Sequence, residues 1–301
     1  MGKLRILVSL ITEDNDYQIE QGQSAREAAN TLDVSVTVVY ADSDAINQST
    51  QLLRAIQGDP TERPDGIVVE PAAGTAFPQV ARAAAAAKIG WAVLNRDPSY
   101  LEELRPAAQA PVFAISSDHL EIGRIQGRQF TALLPQGGSV LYIQGPSENP
   151  AAKERASGMQ ETKPPNIHVT LLKGQWTQES ALRTVRSWLQ LSTSQKAPID
   201  LVGAQNDAMA IGARRAFQEL TNETERERWL HLPYTGVDGL PKTGQVWVRS
   251  GLLSATILTP ANAGQGLELL VLGIHQQKQP PTRILVQPTS IPAIEALSVK
   301  R

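Results

Sequence analysis

Cysteine is absent from all 301 residues. That excludes disulfides, zinc–thiolate centres, iron–sulfur clusters and a thiol nucleophile. It leaves the compartment open, because a cysteine-free chain suits either redox environment. Long apolar runs are also missing. Candidates such as Ala83–Ala87 and Leu267–Ile274, the latter interrupted by Glu268, fall far short of the roughly 18 residues that a membrane-spanning helix needs, so no direct membrane insertion is expected. No sign of charge dominates: 28 Lys and Arg face 30 Asp and Glu, for a net charge of -2. A near-neutral chain without a basic block is a poor non-specific binder of nucleic acid, so none is expected as a partner. The opening Met1-Gly2-Lys3-Leu4-Arg5 lacks the basic, apolar and small-residue regions of a secretory signal. The expected location is periplasmic if a signal peptide has been removed, and cytoplasmic otherwise.

Several chemistries lack their residues. No G-x-G-x-x-G follows the first apolar run, and no G-x-x-x-x-G-K-[ST] occurs, so the phosphate cradles of dinucleotide and P-loop sites are missing. Gly264-Gln265-Gly266 lies at the wrong end of the chain and lacks a third glycine. There is no G-x-S-x-G elbow. His119, His168, His231 and His275 are far apart, without metal-ligand spacing, and each reads as an exposed or strand-end histidine. With no nucleophile, metal cluster or positioned histidine, the chain reads as a non-enzyme with no cofactor and no metal.

What is present is ordinary globular composition, 41% apolar and 19% charged. At roughly 150 residues per domain the length implies about two domains. Short β-branched runs alternate with longer helical stretches. Strands are expected at Leu4–Ser9, Val34–Tyr40, Gly66–Val69, Trp91–Leu94 and Val112–Ser116. Between them, Ala25, Ala28, Ala29 and Leu32 mark one helix face, Leu52, Leu53 and Ile56 a second, and Pro78–Lys88 is an alanine-rich third. The rhythm restarts with helices at Leu120–Leu134, Ala151–Gln160, Gln178–Leu191 and Ala208–Leu220. Their strands are Ser139–Ile143, His168–Leu172, Leu201–Ala204 and Leu232–Gly236. The charged run Glu223–Arg228 reads as a solvated helix end. Two βαβ series imply an α/β fold of two doubly wound parallel-sheet lobes. The tail, with strand Ala255–Ile257, helix Asn262–His275 and strand Arg283–Val286, is too short for a third domain. It must return to the earlier sheets, so several crossings join the lobes as a hinge.

Open parallel sheets bind ligands at the carboxyl ends of their strands. The residues there form a set: Asn15-Asp16-Tyr17, Glu70-Pro71, Asn95-Arg96-Asp97 and Ser117-Asp118 in the first series. In the second they are Arg155 beyond Gly145-Pro146, Trp176, Gln205-Asn206-Asp207 and Asp238-Gly239. Planar hydrogen-bonding groups with aromatic rings suit a small polyhydroxylated ligand. Each residue has a plainer use. Ser117-Asp118 and Asp207 are placed to cap the next helix, Arg96 and Arg155 could be surface arginines, and Trp176 could be core.

At this point the sequence resembles the sugar-binding periplasmic binding proteins of the ribose-binding type. Asn206-Asp207-Ala208-Met209-Ala210-Ile211-Gly212-Ala213 resembles their N-D-x-M-A-x-G-A block. Gly236-Val237-Asp238-Gly239-Leu240-Pro241 is similar to their G-x-D-G-x-P, and the segment from Gly251 to Pro260 to their G-x-L-x-A-T-I. The stretches Leu94–Asp97, Ser116–Gly127 and Lys153–Met159 fit in order. Lactose-repressor-type regulators share the fold, but their DNA-binding headpiece is not expected here, the sequence opening on the first strand.

The resemblance implies a type I periplasmic binding protein with three crossings. The expected lobes are 1–116 with 260–286, and 117–259 with 287–301. It implies a ligand site in the interlobe cleft made of Tyr17, Glu70, Asn95, Arg96, Ser117, Arg155, Trp176, Asn206, Asp238 and Thr259. Arg96 would fork onto two ligand oxygens, Arg155 matches the second-lobe arginine, Asn206 and Asp238 would bind hydroxyls, and Trp176 would replace a stacking phenylalanine. The pattern also departs from the family. Tyr17 is the one first-loop ring, Glu70 stands for an asparagine, Asn95 for an aspartate, Thr259 for a glutamine and Val237 for a phenylalanine. The implied ligand is therefore a sugar or sugar-like compound rather than ribose by name. Glu70, acceptor-only when ionised, suits either Arg96 or an amine-bearing ligand. The implied function is solute capture by a monomer, with delivery to an ABC transporter permease or a sensor kinase. An intracellular ligand-sensing regulator is the alternative.

Overall fold

A computed structural model of the chain describes residues 3–72, 74, 76–192, 194 and 198–297. The outermost residues of the expected lobes, 1–2 and 298–301, lie outside the described residues. The chain divides into two compact units, Met1–Ser117 with Ala261–Val286, and Asp118–Pro260 with Gln287–Arg301.

In the first unit, β1 (Arg5–Leu10), α1 (Asp16–Leu32), β2 (Ser35–Tyr40), α2 (Ala45–Gln57), β3 (Gly66–Val69), α3 (Pro78–Ala86), β4 (Gly90–Leu94), α4 (Tyr100–Leu104) and β5 (Val112–Ser117) follow one another. The chain then builds most of the second unit. There α5 (His119–Leu133), β6 (Gly138–Gln144), α6 (Pro150–Thr162), β7 (Ile167–Lys173), α7 (Gln178–Leu189), β8 (Leu201–Ala204) and α8 (Asp207–Gln218) come first. They are followed by α9 (Glu223–His231), β9 (Tyr234–Thr235), α10 (Gly244–Arg249) and β10 (Thr256–Leu258). Helix α11 (Ala263–Gln276) and β11 (Arg283–Val286) return to the first unit, and β12 (Thr289–Ile291) ends in the second.

The first unit has a six-stranded sheet in the order β11-β5-β4-β3-β1-β2, parallel throughout. Strands β3, β4 and β5 are buried along their whole length, whereas the edge strand β2 alternates between exposed and half-buried. That is the pattern of a sheet covered on both faces, where central strands read as continuous apolar runs. One face packs Leu52, Phe77, Val80 and Trp91 beneath α2 and α3, and the other packs Val8, Phe113, Leu267 and Leu270 beneath α1 and α11. The second unit has the parallel order β7-β6-β8-β9, with helices on both faces, and a separate antiparallel pair, β10-β12.

Both sheets reverse their winding direction beside their first strand, between β1 and β3 and between β6 and β8. At such a switch point the loops leaving neighbouring strands diverge and open a crevice at the carboxyl ends. Two glycines set the second unit's helix layer. A Cβ on Gly123 would lie 2.1 Å from the Arg155 carbonyl oxygen, and one on Gly158 would lie 2.0 Å from that of Leu120. Helices α5 and α6 therefore cross backbone to backbone, which fixes the height of Arg155.

The sequence expectations need four corrections here. The run Glu223–Arg228 belongs to a helix of its own, α9, capped by Asn222 and anchored where Trp229 stacks on Phe217 at 4.3 Å. Strand Leu232–Gly236 shrinks to two residues, because Pro233 has no N–H and Gly236 N–H turns to the Ala255 carbonyl. His119 is buried at the start of α5 rather than exposed or at a strand end. Strand β12 is not among the expected strands, because Pro288 and Pro292 flank it and read as breakers.

Candidate functional site

In the first unit the strand ends converge on Glu70 and Asn95. Glu70 follows β3 and is 5% exposed. Its carboxylate accepts from Asn95 Nδ2 at 3.1 Å and from Gln21 Nε2 at 3.1 Å. Burial pushes its pKa above the usual 4.5, opposed by the Asn95, Gln18 and Gln21 amides and by the Arg96 charge. Its backbone is fixed too: Gln48 Nε2 donates to the Glu70 carbonyl at 2.9 Å and to Ser9 Oγ at 3.1 Å.

Asn95 follows β4 with φ of 53°. Its second amide proton goes to Tyr17 Oη at 3.3 Å, and its oxygen accepts from Asn262 Nδ2 at 2.8 Å and from Ser117 N–H at 3.5 Å. Arg96, half-buried, folds back so that Nη1 donates to the Asn95 carbonyl at 2.7 Å. Tyr17 is held at the start of α1, where Asn15 Oδ1 accepts from Tyr17 N–H at 2.9 Å and from Gln18 N–H at 3.3 Å. Ser117 closes β5, and its buried hydroxyl has no hydrogen-bond partner among the described residues.

In the second unit the corresponding loops gather Arg155, Trp176, Asn206 and Asp238. Arg155, on α6, is 7% exposed and donates from Nη1 to the Gln205 carbonyl. Its guanidinium sits 5.4 Å from the centroid of the Trp176 ring, a cation–π contact. Trp176 is half-buried with φ of 65°, and Asn206 Nδ2 holds its carbonyl at 2.9 Å. A Cβ on Gly145 would come 2.3 Å from that ring, so only glycine lets the indole lie on the loop after β6. Gln205 fastens this loop, accepting from Gly145 N–H at 2.9 Å and donating to the Ala152 carbonyl at 2.9 Å.

Asp238 adopts φ of 105°, and its backbone is held from three sides. Its N–H donates to the Ile257 carbonyl at 3.0 Å, its carbonyl accepts from Thr259 N–H at 3.0 Å, and the next N–H, of Gly239, donates to Asp207 Oδ2 at 2.8 Å. Asp207 Oδ1 accepts from Thr256 Oγ1 at 2.6 Å. Burial, and then the nearby Asp238 charge, push the Asp207 pKa well above its usual 3.8.

Asn95, Trp176 and Asp238 all stand in the left-handed region. Such geometry costs about 1–3 kcal/mol per residue and persists only where the surroundings over-determine it, a condition that clusters at ligand sites. For Asn and Asp the region is tolerated, while for tryptophan it is a true outlier.

Some expected roles change. Asp207 is not the helix cap: Asn206 is, accepting from Met209 N–H at 2.9 Å, while Asp207 lies inside the first turn with its carboxylate buried. Asn206 thereby has a structural duty at both ends of its amide. Asp118 does cap α5, accepting from Glu121 N–H at 2.9 Å. Asn95 engages every polar atom of its amide inside its own unit, and Thr259 turns its hydroxyl to the Asp238 carbonyl at 3.5 Å. Both therefore brace neighbouring residues. Gln18, Gln21, Gln48 and Asn262, all buried, are not among the expected site residues. Their one signal was polarity on an otherwise apolar stripe, as with Gln18 and Gln21 beside Ala25 and Ala28.

Among the described residues no group of three His, Asp or Glu stands close enough to hold a metal ion, and no helix is long and apolar enough to cross a membrane. An open cavity of about 710 Å³ lies at the other edge of the first unit's sheet, lined by Arg5, Arg63, Asp65, Lys88 and Lys278. It faces the amino ends of the strands and the ends of α3 and α11, where basic side chains complement helix carbonyls, and shares no residue with the strand-end set.

The comparisons with known proteins agree with this architecture. A family model described as "Periplasmic binding protein domain" matches residues 6–270. The ribose import binding protein of Salmonella typhimurium is 26% identical over 258 residues, which cover 85% of this chain and 79% of that protein. The D-xylose-binding periplasmic protein of Escherichia coli is 28% identical over 214 residues, 67% of this chain and 60% of that protein. A solved solute-binding protein from Actinobacillus succinogenes with bound D-allose superposes with a TM-score of 0.82 at 22% identity, covering 97% of this chain and 98% of that one. The chain belongs to the periplasmic binding protein domain family and has its type I fold.

Proposed function

We propose that this chain captures a sugar or a close polyol without altering it chemically, and passes it to the permease of an ABC transporter or to a sensor kinase. Each unit carries recognition groups of its own at its strand ends. Arg96 and Tyr17 come from the first unit, and Arg155, Trp176 and Asp238 from the second, with Asn95, Asn206 and Thr259 holding them. The carrying observation is the chemistry at the strand ends. Two arginines are anchored through carbonyls, one carboxylate is carried on a strained turn whose backbone is held, and one indole lies on a glycine loop. Charge-assisted donors for paired hydroxyls and a flat face for C–H groups are what a sugar needs. A neutral, multiply hydroxylated ligand also fits a site whose buried carboxylates already have amide or hydroxyl donors. Glu70 accordingly serves Asn95 and lies near Arg96, rather than receiving an amine.

The family is a periplasmic one, and periplasmic residence of this chain belongs to the same proposal. The test is a thermal-shift panel of D-ribose, D-xylose and D-allose, followed by calorimetry and a turnover screen. A ligand binding only the folded state at a hundred times its Kd stabilises it by about 2.7 kcal/mol. A clear rise in melting temperature with one sugar, and its recovery unchanged, is expected. No shift with any of them would sink the assignment, and conversion of the sugar would make the protein an enzyme.

A further inference from the structure

Asn262 stands in the capping position before helix α11, just where the chain has re-entered the first unit. Asparagine in that position ordinarily caps its own helix by accepting from the next N–H groups. Here it does not. The first N–H groups of α11 are taken by α1 instead: Ala263 N–H donates to Gln21 Oε1 at 2.8 Å, and Gly264 N–H to Ser24 Oγ at 3.1 Å. Asn262 is thereby released for another task. Its Nδ2 donates to Asn95 Oδ1 at 2.8 Å and to the Ile115 carbonyl at 3.4 Å, and its Oδ1 accepts from Gln21 Nε2 at 2.8 Å. Gln21 uses its other amide proton on Glu70. Gln21 is 0% and Asn262 1% exposed, so neither meets solvent.

We infer that Gln21 and Asn262 are positioning residues, a buried amide brace that fixes the left-handed turn at Asn95 and, through its carbonyl, the guanidinium of Arg96. The inference rests on the proposed role of Arg96 in ligand binding. Its physical basis is the polarity of the four groups. Asn95 has two donors and one acceptor oxygen to place, and Glu70 supplies only acceptors. Asn262 must then supply the donor that Asn95 Oδ1 needs, and Gln21 must both donate to Asn262 and accept from α11. Only this assignment of amide ends satisfies every member, and a fully satisfied buried network admits one arrangement. A left-handed Asn95 that lost the brace could relax, and Arg96 would move with it.

Three variants of the full chain separate positioning from simple support. Gln21→Met keeps the volume and removes both hydrogen-bonding ends. Asn262→Asp keeps the acceptor for Gln21 and removes the donor to Asn95. Ser24→Ala removes a comparable bond to α11 and leaves the brace intact. The first readout needs no ligand. Hydrogen exchange in a peptide covering Leu94–Asp97 should be about tenfold faster in Gln21→Met and Asn262→Asp, and unchanged in Ser24→Ala. The second uses whichever of D-ribose, D-xylose and D-allose shifts the wild type most. Its affinity should fall about ten- to a hundredfold in the two brace variants and less than about twofold in Ser24→Ala. Equal exchange in all three variants overturns the inference, as does faster exchange with unchanged affinity. If no sugar binds the wild type, the proposed function fails and the exchange result alone decides the brace. If neither brace variant folds, the two amides are structural and the inference is wrong.

Discussion

Asp207 offers a quantitative check on how the second unit holds its strained turn. Its two carboxylate oxygens accept from Thr256 Oγ1 at 2.6 Å and from Gly239 N–H at 2.8 Å, and the residue is 2% exposed. In Asp207→Ala both donors lose their partner in a dry site. An orphaned buried group costs about 1–3 kcal/mol, so the pair costs roughly 2–6 kcal/mol. For a folding unit of about 150 residues, each kcal/mol moves the melting temperature by about 2–4 °C, so a fall of about 5–20 °C is expected. In Asp207→Asn the amide oxygen can keep Gly239 N–H, and the amide nitrogen can donate to Thr256, whose hydroxyl rotates to accept. That variant also removes a buried charge, so its melting temperature at neutral pH should match or exceed the wild type.

The pH dependence has a definite sign. The folded pKa of Asp207 is raised above its unfolded value near 3.8, so the stability this group contributes is fully present below that value. It is lost as pH rises toward the folded pKa. The advantage of Asp207→Asn over wild type should therefore grow from pH 4 upward and then level off, in melts followed by circular dichroism. The reasoning is refuted if Asp207→Asn is as unstable as Asp207→Ala, because that would make the carboxylate charge itself the stabilising element.

Other consequences concern binding and packing. Either Arg96→Ala or Arg155→Ala should weaken the sugar identified by the thermal-shift panel by tens- to thousands-fold, since truncating a buried hydrogen-bonded charge costs about 2–5 kcal/mol; wild-type calorimetry for both would remove them from the site. Trp91, Trp188 and Trp229 are buried, whereas Trp176 and Trp247 are half-buried, and of these two only Trp176 stands among the strand-end residues. Sugar binding should thus change the tryptophan emission, and Trp176→Phe should abolish most of the change while still binding through its remaining ring face. An unaltered signal would make Trp176 a packing residue only. Gly145→Ala drives a methyl into the indole and should weaken binding through displacement of the ring, which calorimetry beside a thermal melt would separate from misfolding.

Much of this protein was determined locally and so could be read from its sequence. The buried runs Gly66–Val69 and Leu201–Ala204 occur as strands at those very bounds, because a strand covered on both faces must be apolar throughout. The αβ alternation fixed two parallel sheets, and the parallel sheets fixed where polar residues would collect. Family blocks around Asn206 and Asp238 located the candidate site residues. Tertiary structure alone decided how those residues are used. Sequence order cannot show that Asn95 is filled on every side, since its partners Tyr17, Glu70 and Asn262 are brought together only by three strand ends and a returning helix. Nor can it show that Asn262 gives up its own helix cap, because the replacement caps come from α1, far away in the chain. Asp207 looked like a cap by its position before Ala208-Met209-Ala210, and became an internal acceptor because Thr256 and Gly239 arrive there only on folding. Propensity and periodicity act over a few residues, whereas the partner of a buried amide or carboxylate is set by whichever distant segment the fold delivers to it.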